Sequence, residues 1–289
     1  MNFIDISSYQ AQIDFATLFN ENPLDGVIIK ATEATGYTNP YFKTWADWLT
    51  DNGKLWGCYH YLAGADAIAE ADYFYKTIKH YIGKCVPCAD YEGEALHRGT
   101  AWLKKFLDYF YQLSGVRCLV YCSQSVTQEQ NFTEIAKDYR LWMAQYASFS
   151  PVYGFQDSPW HNGSVAPFNG WQMQQYTSCG VLNGWRNYLD LDKFYGTAED
   201  WKNLCEAHKD NTPAPVGQLK PADPVVVSQV LMNHYGVGNE RRQALIADGY
   251  DPDSVQKKIN ELYAVAAKCK PIINGNKEYI NSIVKLMKM

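Results

Sequence analysis

Phe and Trp are missing from one end of the chain. Of 289 residues, 12 are Phe, 9 Trp and 22 Tyr, yet no Phe follows Phe194 and no Trp follows Trp201. Two differently built regions therefore share the chain, since large aromatics dominate the burial of whatever core they occupy. No stretch approaches the roughly 18–20 consecutive apolar residues of a membrane-spanning helix, so no membrane contact is expected. The opening MNFIDISSYQ has neither a basic start nor an apolar run, so a secretory leader is not expected there. No G-x-G-x-x-G or G-x-x-x-x-G-K-[ST] follows an apolar run, which removes the main dinucleotide and nucleoside-triphosphate readings. Cys85-Val-Pro-Cys88 has no second C-x-x-C and no suitably spaced His pair to complete a zinc site. The eight Cys sit in apolar runs such as CLVYC and read as reduced, buried thiols. No metal or cofactor is expected.

Positive charge is also scarce where the aromatics are. Residues 1–210 carry 16 Lys and Arg against 24 Asp and Glu, net −8, whereas residues 211–289 carry 10 against 7, net +3. The overall −5 averages an acidic body with a mildly basic tail. Nucleic acid is an unsuitable partner for that body, because phosphate binding needs clustered Lys and Arg. With 47% hydrophobic and 20% charged residues, the bulk of the chain is a folded globular protein.

Short apolar strands alternate with helical segments through the body: FIDI (3–6), GVIIKAT (26–32), LWGCYHYL (55–62), CVPCADYE (85–92), VRCLVYCS (116–123), RLWMAQY (140–146) and GWQMQQYT (170–177). Between them lie amphipathic stretches such as PYFKTWADWLTDNG and TAWLKKFLDYFYQLSG, apolar at i, i+3 and i+4 and closed by Gly. This alternation predicts an α/β fold, and a barrel with its chemistry at the C-terminal strand ends is favoured over a wound sheet. Residues 1–205 are read as this catalytic body. Residues 206–223 (EAHKDNTPAPVGQLKPAD) form a stiff Pro-rich linker. Residues 224–267 follow as a small all-α domain of three short helices, the last opening with Asp251 as N-cap and Pro252 in its first turn. Residues 268–289 make a C-terminal helical extension with Ile280, Ile283, Val284 and Met287 on one face.

Acidic and amide side chains recur where the strands end: Asp5, Lys30 with Glu33, His60, Asp90 with Glu92, Gln145, Gln174 and Asp190. Strand side chains at i and i+2 share a face, so Asp90-Tyr91-Glu92 can aim two carboxylates into one pocket. Glycosidic cleavage needs that pairing. One carboxyl must keep its proton near neutral pH for the leaving oxygen, and a neighbouring negative charge helps it do so. A second carboxylate stabilises positive charge or orients a nucleophile. An isolated Asp-x-Glu is common on surfaces; the position after an apolar strand, with Asp5 and Asp190 at other strand ends, gives this one its meaning.

The blocks DISSYQ (5–10), VIIKATEATGYTNPYF (27–42), GCYHYL (57–62), ADYEG (89–93), VYCSQ (120–124), LWMAQY (141–146), WQMQQYT (171–177) and YLDLDKFYG (188–196) together resemble the glycoside hydrolase family 25 lysozymes, muramidases of phages and bacteria. The resemblance implies an irregular (β/α) barrel that cleaves the β-1,4 bond between N-acetylmuramic acid and N-acetylglucosamine. It implies Glu92 as general acid and Asp90 as the residue that orients the substrate N-acetyl group, itself able to act as internal nucleophile. Asp5 and Asp190 complete the ring. Asp190 is taken over Asp192, which stands where the family's Asp-Leu-Asn motif has Asn. Retention and inversion both remain open. Lys30 and Glu33 are either a structural ion pair or the cleft floor, and the resemblance favours the floor. Tyr61, Tyr121, Trp142 and Tyr176 are core or sugar contacts, with sugar contact favoured for Tyr121 and Trp142. Gln145 and Gln174 suit recognition of substrate amides or hydroxyls, and His60 reads as a satisfied core histidine.

In the tail, GVGNERRQALIADGYDPDSVQKKIN resembles the three-helix cell-wall-binding repeat of some phage lysozymes. Arg241, Gln256 and Asn260 are its candidate wall contacts, with a solvated charged face as the alternative. One copy of the repeat suggests homo-oligomerisation through this region, or a cleft that supplies most of the binding. The expected partner is bacterial peptidoglycan. The expectation is a phage endolysin made without a signal peptide in the host cytoplasm and acting on the cell wall. The alternatives are a non-catalytic peptidoglycan-binding protein, a host autolysin and a related glucosaminidase.

Overall fold

A computed structural model describes residues 1–207, 220–232, 234–235, 241–242, 245 and 250–273. The chain divides into two compact units, Met1–Thr212 and Pro213–Met289. In the first, ten strands appear in chain order: β1 (Asn2–Ile6), β2 (Gly26–Glu33), β3 (Tyr37–Thr38), β4 (Leu55–Tyr61), β5 (Val86–Asp90), β6 (Leu119–Ser123), β7 (Arg140–Ala144), β8 (Val152–Tyr153), β9 (Met173–Val181) and β10 (Leu189–Phe194). Helices α1 (Phe15–Glu21), α2 (Phe42–Asp51), α3 (Ala67–Ile78), α4 (Gly99–Ser114) and α5 (Gln124–Glu129) fill the first five crossovers, and α6 (Ala198–Cys205) follows β10.

Eight strands close into a ring because β1 pairs with both β2 and β10. Around it run β1, β2, β4, β5, β6, β7, β9 and β10, all parallel except β10, which is antiparallel to both its neighbours. This is the expected α/β barrel, irregular because no helix joins β7 to β9 or β9 to β10. The strand β10 is absent from the sequence reading for a physical reason. Strands of parallel sheets ordinarily read as aliphatic runs, and Leu189-Asp190-Leu191-Asp192 places a charge at every second position.

The two-residue period sorts side chains between two cores. Outward residues such as Ile4, Val27, Ile29, Ala89 and Val120 pack under the helices, whose apolar stripes include Phe42, Trp45, Ala46 and Leu49 on α2 and Leu103, Phe106, Leu107 and Phe110 on α4. Inward residues Phe3, Ile28, Val86, Cys88, Leu119, Trp142, Met173 and Phe194 fill the barrel, and Trp201 of α6 closes its lower end. The Trp201 ring lies 4.3 Å from that of Phe3 and 5.0 Å from that of Phe194. Gly57 on β4 permits this closure, since a Cβ there would lie 2.8 Å from the Val86 carbonyl and 3.4 Å from the Trp201 ring.

Cys85 and Cys88 fall in different cores, as residues three apart on extended chain must. Cys85 faces Cys58, with Sγ atoms 3.8 Å apart, and burial raises the Cys58 and Cys88 thiols well above their ordinary range. His60 is a satisfied core residue. Its Nδ1 lies 2.7 Å from Thr32 Oγ1 and its Nε2 3.0 Å from Glu70 Oε2, while Glu70 also accepts from the Ala63 and Ala65 amides.

In the second unit, α7 (Pro224–Leu231) is capped by Asp223, which accepts from the Val225 and Val226 amides. The last helix, α8 (Pro252–Ile273), begins at the expected Pro252, and Asp251 accepts from the Asp253 amide. It continues past residue 267, so the expected boundary at 267/268 falls inside a helix. Val226, Val227, Val230, Leu245, Val255 and Ile259 form a separate small core. Most of the expected middle helix, the linker from 208 to 219 and the amphipathic stretch from 274 onward lie outside the described residues.

Candidate active site

The inward rows continue upward from the apolar fill into polar side chains: Phe3 to Asp5, Gly57 to Tyr59, Cys88 to Asp90, Leu119 to Tyr121, Met173 to Gln175. Because β10 runs the other way, it delivers Asp190 at its beginning, opposite Asp5 in the ladder. These side chains line a cavity of about 270 Å³ together with Glu92, Trp142 and Tyr146. Four of the lining residues are the expected acids Asp5, Asp90, Glu92 and Asp190.

Glu92 follows β5 and stands exposed at the cavity mouth, at the start of a 3-10 turn over Gly93–Arg98. Gly93 is required there: its φ is +54°, and a Cβ would lie 2.7 Å from the Tyr61 hydroxyl. Desolvation raises the Glu92 carboxyl, and the Lys30 charge opposes the rise. Asp90 is raised well above the usual carboxylate range, first by burial and then by the charges of Glu92 and Asp5. Burial, then Asp5 and Glu92, raise Asp190 to about 8. Burial also raises Asp5, but only to about 6, because hydrogen bonds from Gln175 and Asp192 favour its charged form. Crowded acids of this kind cannot all ionise together, so protons are retained in the ring near neutral pH.

Gln175 organises one wall. Its Oε1 accepts from the Tyr121 hydroxyl at 2.8 Å and from the Tyr146 hydroxyl, and its Nε2 donates to Asp5 Oδ2 at 2.6 Å. Trp142 is 1% exposed and makes the cavity floor, edge-on to Tyr121 with its indole N–H donating to Asp192. Lys30 and Glu33 form an ion pair at 2.6 Å beside the mouth, with Lys30 Nζ 4.7 Å from the Tyr61 ring centre.

Three expected substrate contacts lie elsewhere. Gln174 faces away from the cavity, donating to the Trp160 carbonyl and accepting from Tyr195. Tyr176 shares that outward face and packs in the outer core, its oxygen accepting from the Gln156 amide. Gln145 is tied to the Asn162 backbone through both ends of its amide. The residues missed by sequence reasoning are Gln175, Tyr59 and Tyr146, while Asp192, weighed against Asp190 in the sequence, lies one layer deeper. The signal for Gln175 is the register of β9: Met173 is apolar and inward, so the amide two residues on shares its face.

In the second unit, Arg241 and Gln256 line a hollow of about 130 Å³ with Arg242, Leu245, Pro252, Asp253 and Val255. Arg242 holds Asp253 through two bonds of 2.6 and 2.8 Å. Asn260 is not in the lining; it accepts from Gln256 at 2.9 Å.

Comparison with known proteins places both units. The family model for glycosyl hydrolases family 25 matches residues 4–185, and that for the CW_7 repeat matches residues 225–263. The autolytic lysozyme of Clostridium acetobutylicum is 31% identical over 197 residues, which is 67% of this chain but 56% of that protein. The lysozyme of Streptococcus phage Cp-7 is 26% identical over 269 residues, 90% of this chain and 69% of that one. A lysozyme from Streptomyces coelicolor shares the fold, with a TM-score of 0.58 at 20% identity over 71% of this chain and 96% of its own. Asp190 and Asp192 lie beyond the end of the family match.

Proposed function

The chain belongs to glycosyl hydrolases family 25, and from that premise we propose that it is an N-acetylmuramidase, cleaving peptidoglycan at the β-1,4 bond between N-acetylmuramic acid and N-acetylglucosamine. The observation that carries this reading is the convergence of Asp5, Asp90, Glu92 and Asp190 on one cavity walled by Tyr59, Tyr121 and Tyr146. Glu92, at the mouth and with its carboxyl raised by desolvation, gives its proton to the glycosidic oxygen as the bond to the anomeric carbon breaks. Asp90, deeper on the same strand face, holds the substrate N-acetyl group. The positive charge at the anomeric carbon is met by that group's carbonyl oxygen or by a water held by Asp5 and Asp190. In the first route water then attacks the anomeric carbon and its proton restores Glu92; in the second the held water attacks directly, its proton passes to Asp5, and Glu92 regains a proton from solvent. The anomeric configuration of the first product, read by NMR, separates the two routes.

Purified cell walls should lose turbidity and gain reducing ends without free amines. Mass spectrometry should place the new reducing ends on muramic acid; placement on glucosamine would indicate a glucosaminidase. Glu92→Gln should abolish cleavage while leaving wall binding intact. Full activity in that variant, or walls that are bound but never cut by the parent protein, would reject the mechanism.

The CW_7 repeat supports attachment of the second unit to the cell wall, with Arg241 and Gln256 as the contacts and Asn260 steadying Gln256. A phage endolysin is favoured over an autolysin because the likeness to the Cp-7 phage lysozyme runs through both units. Lysis on co-expression with a pore-forming holin, and none without it, is the expected result.

A further inference from the structure

Asp192 is a buried acid to which the reaction above gives no work. It lies two residues beyond Asp190 on β10 and shares the inward face one layer deeper, with 0% exposure. The Trp142 indole N–H donates to its Oδ1 at 2.8 Å, while its Oδ2 is fully buried with no donor facing it among the described residues. The group it does face is another carboxyl, that of Asp5, close enough for the two to share a hydrogen bond.

An ionised Asp192 would be a charge out of water with one hydrogen bond, beside the acids Asp5 and Asp190. The remaining polar groups about this cavity offer no remedy. They are Cys88 and Asp90 from β5, Glu92 beyond it, Tyr59 from β4, Tyr121 from β6 and Tyr146 after β7; the thiol and phenols are neutral and the acids are anions or protonated. Lys30 on β2 directs its charge at Asp90 and Glu92 instead. A proton on Oδ2 resolves the difficulty, because it turns an orphaned acceptor into a donor with an acceptor in front of it. Asp5 then receives two donors, Asp192 and the Gln175 amide at 2.6 Å, which lets it carry charge although it is buried.

We propose that Asp192 is a positioning residue that keeps its proton through the reaction and donates it in a hydrogen bond to Asp5, fixing that carboxylate ionised and oriented beneath the substrate. An amide at this position could also donate. A carboxyl differs in that it can lose the proton, whereupon two anions face each other and Asp5 is displaced or neutralised.

The kinetic part of the test rests on the hydrolytic reading, and the spectroscopic part does not. Using the full-length protein and a soluble peptidoglycan fragment, Asp192→Ala should lower kcat roughly tenfold or more with KM changed by no more than about twofold. Asp192→Asn should recover most of that loss at pH 6, because its amide also donates to Asp5. Infrared difference spectra of parent against Asp192→Asn at pH 6 should show a protonated-carboxyl band that the variant lacks. A loss in Asp192→Asn as deep as that in Asp192→Ala, or absence of the band, would each overturn the proposal. Should Asp192→Ala fail to fold, the kcat and spectrum of Asp192→Asn decide alone. If the parent releases no reducing ends at all, the hydrolytic reading fails while the infrared band still locates the proton.

Discussion

The Gln175 side chain cannot turn over, since two tyrosine hydroxyls hold its carbonyl end and Asp5 takes its amide end. Gln175→Leu removes a donor from buried Asp5, worth about 1–3 kcal/mol, and the acceptor of two half-buried tyrosine hydroxyls. Thermal unfolding should come earlier, and the acid limb of kcat should move to higher pH because Asp5 loses a donor that favours its charge. Gln174→Leu should lower stability without moving that limb, since Gln174 bonds only outside the cavity. This adjacent pair marks the boundary of what is legible in the sequence. Asp5, Asp90 and Glu92 are legible because an acid at the end of an apolar strand is partly withdrawn from water, which costs free energy and persists where chemistry needs the charge; Asp190, near the start of β10, is legible through the family resemblance. Gln175 is not, and the sequence points to Gln174 and Tyr176 instead, because the face of β9 turned inward is set by its neighbours, and a slip of one residue exchanges every side chain on a strand. Tyr146 lies just past the end of β7, where alternation no longer guides. A second prediction concerns Asp190, raised by burial and then by Asp5 and Glu92 to about 8. The folded chain binds this proton more tightly than the unfolded chain, whose Asp titrates near pH ~4. Its contribution to stability is therefore full below about pH 4 and is lost as pH rises through about 8. The midpoint of thermal unfolding should fall for the parent relative to Asp190→Asn between pH 5 and roughly 8, and parallel curves for the two would contradict this.

At the level of elements, α6 belongs to the barrel although it follows the last strand. Its Trp201 is 1% exposed, packs on Phe3 and Phe194 and donates to the Trp56 carbonyl at 3.2 Å. Trp201→Ala should cost about 3–5 kcal/mol, read as an earlier denaturant midpoint. A chain ended after Gly196 should be insoluble or unfolded, whereas one ended after Ala207 should fold and cut soluble fragments. The parallel strands and their helices are legible from alternating periods and glycine stops; α4 closes at Gly115 with φ of +71°. The antiparallel β10 is not, because its alternate charges serve the cavity and disguise a buried strand. Function overrides the local pattern at the element that completes the site.

At the scale of the whole molecule, the two units divide the acidic and basic character of the chain, net −8 in residues 1–210 and +3 in 211–289. Removing residues 213–289 should leave kcat on a soluble fragment unchanged and slow the clearing of intact walls by about tenfold or more, through lost attachment. Equal clearing rates would show that the cleft alone supplies the binding. The ring itself has a consequence for timing. Its first strand is zipped between the second and the last, and Asp5 stands opposite Asp190 across that seam. A ribosome extending the chain at roughly 5–20 residues per second exposes these two acids some ~10–40 seconds apart. Nothing shorter than the full barrel can assemble the four acids, so the cleavage proposed for them would arrive in a single late step, once α6 has emerged and sealed the base.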